Sequence, residues 1–152
     1  MDILRKGGFL VSRIHQLSGR IFTKKLKEYR IEEINPAQGR ILFALWEGGS
    51  MPILELARKT SLGKSTLTSM LDRLEQSGHL KRVPDKKDRR QIMVRLTEKY
   101  KVLQGKYEQV SNEMLELYYK GFCAEEIDRF ESYLDRILQN LEQYERDIYG
   151  RG

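Results

Sequence analysis

Lys64, Ser65, Thr68 and Ser69 fall, at helical spacing, on the side opposite Leu67, Leu71 and Leu74. One face of this segment therefore offers short hydroxyls and an ammonium, while the other wants a core. These groups make no catalytic set. They can hydrogen-bond to base edges and pair with phosphates, and a face this small and polar suits a DNA major groove. Farther along, Lys86, Lys87, Arg89 and Arg90 crowd a stretch rich in turn residues, with Asp88 two residues before Arg90. Such a tip is expected to be exposed. Lys64, Arg73, Lys86, Lys87 and Arg89 are the expected phosphate neutralisers, and roughly 6 to 10 such contacts per pair of chains would make binding steeply salt-dependent. For Arg73, an ion pair with neighbouring Asp72 or Glu75 competes with that role.

Other chemistry is poorly provided for. His15 and His79 stand alone, without HisGluXXHis or CysXXCys spacing, so neither a metal site nor a cofactor is expected. Both histidines read as ordinary surface or interface side chains. There is no glycine-rich phosphate loop, nucleophile elbow or paired acid site, which argues against an enzyme. The one cysteine, Cys123, cannot close an internal disulfide, and a reducing cytoplasm is the expected compartment. Cys123 stands at the head of the last helix, in a capping position where Ser is usual. A thiol activated there by the helix dipole would make a redox sensor, but Glu125, Glu126 and Asp128 oppose it. The apolar run after Arg5 and Lys6 stops at Ser12 and Arg13, short of a signal segment, and no stretch is long enough to span a membrane.

The 152 residues are expected to form one domain. Lys and Arg outnumber Asp and Glu by 28 to 22, but the excess is local: residues 51–105 carry 13 against 6, whereas 106–152 carry 6 against 11. Positive charge thus coincides with the hydroxyl-lined segment and its cationic tip, so the expected partner is nucleic acid.

Several elements must position these groups. Leu10, Ile14, Leu17, Ile21 and roughly Leu26 form the stripe of an amphipathic first helix over about 4–29. Asn35 and Pro36 start a second helix that buries Ile41, Leu42, Leu45 and Trp46 and ends at Gly48 and Gly49. A short helix from about Ile53 to Thr60 buries Leu56 and Ala57. A SerLeuGly turn leads into the hydroxyl-lined helix, which Gly78 closes. Leu80–Pro84 and Gln91–Leu96 alternate as two strands around the cationic tip. Helix, turn, helix and wing, over about 35–97, is the layout of a DNA-reading domain.

From Thr97 to about 149, two long helices carry Tyr100, Leu103, Tyr107, Val110, Met114 and Leu117, then Ile127, Phe130, Leu134, Ile137, Leu141, Tyr144 and Ile148. Alternating spacings of three and four mark seams that want another helix. The two helices could pair within the chain; dimerisation through them and the first helix is the favoured account. The expected fold class is mainly α with a small β-hairpin wing, a winged helix-turn-helix flanked by long dimerisation helices.

These residues resemble the multiple-antibiotic-resistance regulator (MarR) family of bacterial and archaeal transcription factors, over essentially the whole chain. The most specific element is the wing signature met by Asp88, Arg90, Val94, Leu96 and Thr97. AsnProAlaGln at 35–38, LeuAla at 56 and 57, LysSerThr with Thr68, and LeuAspArgLeuGlu at 71–75 before Gly78 support it. The resemblance implies a homodimer whose two winged parts straddle a pseudo-palindromic double-stranded DNA operator, repression of nearby genes, and release by a small-molecule effector. Carried over by position, Arg90 would enter the minor groove with Asp88 orienting it, and Ser65, Thr66, Thr68 and Ser69 would face the major groove. An effector pocket would lie near Leu17, Ile41, Leu45, Trp46 and Tyr107, residues that could equally well build the core. Gly63 stands where the family often has a capping Asp or Ser, Tyr100 where a Gly is common, and Ser69 where many members carry Arg. Without Arg at 69 that position offers no bidentate guanine contact, so sequence preference leans on Lys64, the hydroxyls and groove shape. Two other readings stay open: a winged-helix protein-interaction module of the transcription machinery, and a redox-sensing regulator acting through Cys123.

Overall fold

The computed structural model describes residues 4–150, so the first three and last two residues of the expected 1–152 domain lie outside the described residues. Helix α1 runs Gly7–Glu28, and among its residues only Leu26 is buried. Helix α2, Pro36–Gly48, starts where the sequence places it. The Asn35 side chain accepts a bond from the Gln38 amide at 2.8 Å, and Gln38 Oε1 accepts one from the Asn35 amide at 3.1 Å. This reciprocal box satisfies two amides that a helix start leaves orphaned. At the other end Gly49, with φ 74, takes a conformation other residues resist. Helix α3 spans Ile53–Thr60, and Ser61 in the left-handed region (φ 56) turns the chain into α4, Lys64–Gln76. Gly78, at φ 82, closes α4 as expected.

Strands β2 (Leu80–Pro84) and β3 (Ile92–Leu96) pair antiparallel from Leu80 opposite Leu96 to Pro84 opposite Ile92. The expected hairpin is part of a larger sheet. A further strand β1, Met51–Pro52, pairs with β3 through Met51 opposite Val94, giving the order β1-β3-β2. Two residues are too few to show alternation, and their partner is far away in the chain, so periodicity could not reveal them.

Helix α5 covers Glu98–Tyr118 and helix α6 Ala124–Tyr149. The described residues fall into two compact units divided between Met114 and Leu115. In the first unit, Leu67, Leu71 and Leu74 of α4 are almost fully buried in one cluster with Ile41, Leu42, Leu45, Leu56, Leu80 and Val94. Tyr100, Tyr107 and Val110 of α5 join them. The first half of the α5 stripe therefore serves this unit's own core, not the partner-seeking seam expected of the whole helix. Trp46 also departs from expectation. It lies in the last turn of α2, 39% exposed, and stacks edge-on against Phe43 with ring centroids 6.3 Å apart.

The second unit holds the end of α5, a turn at Gly121 (φ 86) and α6. Cys123 caps α6, as its position suggests, and Glu126 Oε1 accepts its amide hydrogen at 3.0 Å. Tyr119 donates to Glu131 at 2.8 Å and packs edge-on against Phe122 and Phe130. No residue of α6 is buried. Among the described residues, no helix is long and apolar enough to cross a membrane.

Candidate nucleic-acid interface

Helix α4 is anchored from behind. Its three buried leucines fix its rotation, which leaves Lys64, Ser65, Thr66, Thr68, Ser69 and Arg73 exposed on the other side. No side chain caps its first turn, since Gly63 occupies the cap position. The unsatisfied amides of that turn add to its attraction for anions.

The wing is shaped by local hydrogen bonds. The Asp85 amide donates to Gln91 O at 2.9 Å and the Gln91 amide to Asp88 O at 3.0 Å, closing the tip. Lys86, Lys87, Arg89 and Arg90 are exposed around it. Asp88 Oδ1 accepts from both Arg90 Nε and the Arg90 amide, each at 3.1 Å, and Asp88 Oδ2 accepts from Arg90 Nη2 at 3.4 Å. The guanidinium side chain stays 91% exposed, so Asp88 aims it without burying it. The same contact holds the Asp88 carboxyl below its usual range.

Wing and α4 are tied together by a residue that sequence reasoning missed. Arg82 Nη2 donates to Asp72 at 2.6 Å and to Glu75 Oε1 at 3.0 Å, while the Arg82 amide donates to Glu75 Oε2 at 2.7 Å. These bonds lower the Glu75 pKa and raise that of Arg82. Because Asp72 and Glu75 are committed to Arg82, the ion pair considered for Arg73 is not formed, and its guanidinium is open to a partner. Asp72 and Glu75, three apart on one helix, and an Arg on the strand after it were a readable signal.

His79 corrects a second expectation. It is fully buried, not at the surface, and its Nε2 lies 2.7 Å from Glu33 Oε2. Its ring packs edge-on against Tyr100, 6.3 Å between centroids. The residue directly follows the positive-φ Gly78, and that sharp exit from α4 carries it inward.

Of the five residues associated with an effector pocket, three lie in the core and two at the surface. Ile41, Leu45 and Tyr107 are core residues, with Tyr107 edge-on to Phe22 at 5.8 Å, whereas Leu17 and Trp46 are exposed at 43% and 39%. A cleft of about 370 Å³ lies along α1, lined by His15, Gln16, Gly19, Arg20, Thr23 and Pro36. No group of three or more His, Cys, Asp or Glu able to hold a metal ion occurs among the described residues.

With this geometry in view, the similarities to known proteins are informative. The model of the MarR family matches residues 34–92. The HTH-type transcriptional regulator TtmR of Methylorubrum extorquens (strain PA1) is 39% identical over 74 residues, 49% of this chain and 38% of that protein. This chain thus spans well under half the length of TtmR. The HTH-type transcriptional regulator PecS of Dickeya dadantii (strain 3937) is 31% identical over 136 residues, 86% of this chain and 79% of PecS. Among solved structures, a mutant of MarR from E. coli complexed with operator DNA is similar with a TM-score of 0.73 and 26% identity, covering 86% of this chain and 92% of that one.

Proposed function

The chain belongs to the MarR family of DNA-binding transcriptional regulators, and from that premise we propose that it acts in the cytoplasm as a homodimeric repressor of a pseudo-palindromic operator, released by a small-molecule effector. The observation that carries this reading is the alignment of two surfaces. The hydroxyl-lined face of α4 and the cationic wing tip are both exposed, and Arg82 locks one to the other.

In the proposed complex Ser65, Thr66, Thr68 and Ser69 enter the major groove, and Arg90, aimed by Asp88, enters the minor groove beside it. Lys64, Arg73, Lys86, Lys87 and Arg89 neutralise phosphates. Apolar surface supports the homodimer. Phe9, Leu10, Val11 and Ile14 of α1 are 64%, 48%, 52% and 39% exposed, and α6 exposes Ile137, Leu141 and Tyr144 at 53%, 63% and 67%. Stripes of this kind rarely face water in a monomer. Two copies would present their α4 helices to successive major grooves, about 34–36 Å apart or a multiple. An effector that changes this spacing releases the DNA. Its proposed pocket uses Leu17 and Trp46, backed by Ile41, Leu45 and Tyr107, with a second copy in place.

The test is an anisotropy titration of duplex from the protein's own upstream region against a shuffled duplex, at two salt concentrations. About a thousandfold preference with dimer stoichiometry supports specific operator binding. Equal, salt-sensitive binding to both duplexes removes sequence reading. Absence of binding at low salt favours a protein-interaction role.

A further inference from the structure

The sheet has a second cationic surface, away from the α4 contact. Strand register sets Lys81 directly opposite Arg95. Arg82, next along β2, turns toward Asp72 and Glu75 of α4, so strand alternation sends Lys81 and Arg95 off the other face. Like charges directly opposed across antiparallel strands repel, and the acids nearby are already engaged. Glu98 pairs with Lys101 at 3.0 Å, and Glu33 with Lys99 at 3.5 Å and with His79.

Lys81 and Arg95 open onto a cavity of about 530 Å³ at the base of the wing, which Thr97, Glu98, Lys99 and Lys101 help to line, the Glu98 carboxylate being paired with Lys101. The first turn of α5 opens there too. Thr97 Oγ1 accepts from the Tyr100 amide at 3.4 Å, which leaves the Glu98 and Lys99 amides without intrahelical partners, as at any helix start. An uncompensated cation pair, a concave floor and a helix start converge on one volume.

We propose that this basin binds an oxyanion of the phosphate class, clamped between Lys81 and Arg95. The Arg95 fork matches two oxygens of such a group, Lys81 supplies a compact charge, and the α5 start adds its dipole. The volume falls within the roughly 300–1,000 Å³ of small-molecule sites, enough for a phosphate ester. The anion could be free in solution or could belong to a DNA strand flanking the operator.

The experiment uses the full chain. Inorganic phosphate and then pyrophosphate are titrated at constant ionic strength against chloride, following the amide resonances of Lys81, Arg95, Glu98 and Lys99. Expected are saturable shifts at these amides. In Lys81→Gln and Arg95→Gln the midpoint moves up by about tenfold or more, and Arg95→Lys recovers part of the loss. Circular dichroism checks that the variants fold, and Arg95→Lys keeps the comparison available if Arg95→Gln does not. Duplexes with and without flanking sequence separate the two sources. For a DNA phosphate, the double glutamine variant loses the extra affinity of the flanked duplex and pyrophosphate competes for it. For a free anion, the variant binds both duplexes as the unaltered chain does while anion saturation disappears. Shifts that rise linearly without saturating, or midpoints equal in the unaltered chain and both glutamine variants, overturn the proposal. The phosphate arm needs no DNA, so its failure is distinct from failure of the operator reading.

Discussion

Arg90 and Arg82 are both arginines of the wing, and their surroundings assign them opposite work. Arg90 is held by Asp88 at the tip and remains 91% exposed, so its removal costs the fold little. Arg90→Ala is expected to weaken operator binding by about 1–3 kcal/mol, roughly 5- to 150-fold, with the melting temperature nearly unchanged; equal affinity in the anisotropy titration would remove the wing from the proposed mechanism. Arg82 instead faces inward to Asp72 and Glu75. Since its bonds depress the Glu75 pKa, the carboxylate contributes stability that is present above its ordinary, unfolded-state pKa and lost as pH falls through the lowered, folded-state value. Arg82→Met should therefore lower the urea midpoint at neutral pH and leave it nearly unchanged once the carboxyl is protonated. A loss of the same size at both pH values would show that the clamp does not act through charge.

At the scale of elements, α2 and α5 approach closely where Gly39 meets Tyr107. A Cβ at position 39 would run into the Tyr107 hydroxyl and touch the Phe22 ring at 3.6 Å. Gly39→Ala is thus expected to destabilise by about 1–3 kcal/mol through overpacking, despite the better helix propensity of Ala. Tyr107→Phe removes the obstructing oxygen, so in that background the Ala substitution should cost less. A double-mutant cycle from urea unfolding checks this coupling, and additive losses would refute the contact. The spacing of apolar residues announced both helices. It could not announce their approach, because a missing Cβ in one element has meaning only against the ring it meets in another.

For the whole molecule, the proposed operator binding depends on a second copy. Ile137 and Leu141 are exposed and α6 buries nothing in the single chain, so Ile137→Asp together with Leu141→Asp should convert a dimer to monomer in light scattering and reduce operator affinity. A pair of substitutions that leaves mass and affinity unchanged would move the interface elsewhere. Much of this organisation is local chemistry and was readable in the chain. Asn35 and Pro36 dictate the start of α2, Gly78 the end of α4, and Leu67, Leu71 and Leu74 determine which face of α4 is buried; the Asp88-x-Arg90 spacing brings the wing tip pair together within one turn. Each depends on neighbours a few residues apart. The tertiary structure alone decided which long-range partners those residues meet. It drew Tyr100, Tyr107 and Val110 into the winged core, buried His79 against Glu33, gave Asp72 and Glu75 to Arg82, and placed Met51 beside Val94. Periodicity records that a residue seeks burial or a counter-charge, whereas the partner is chosen by competition among all surfaces that folding brings within reach.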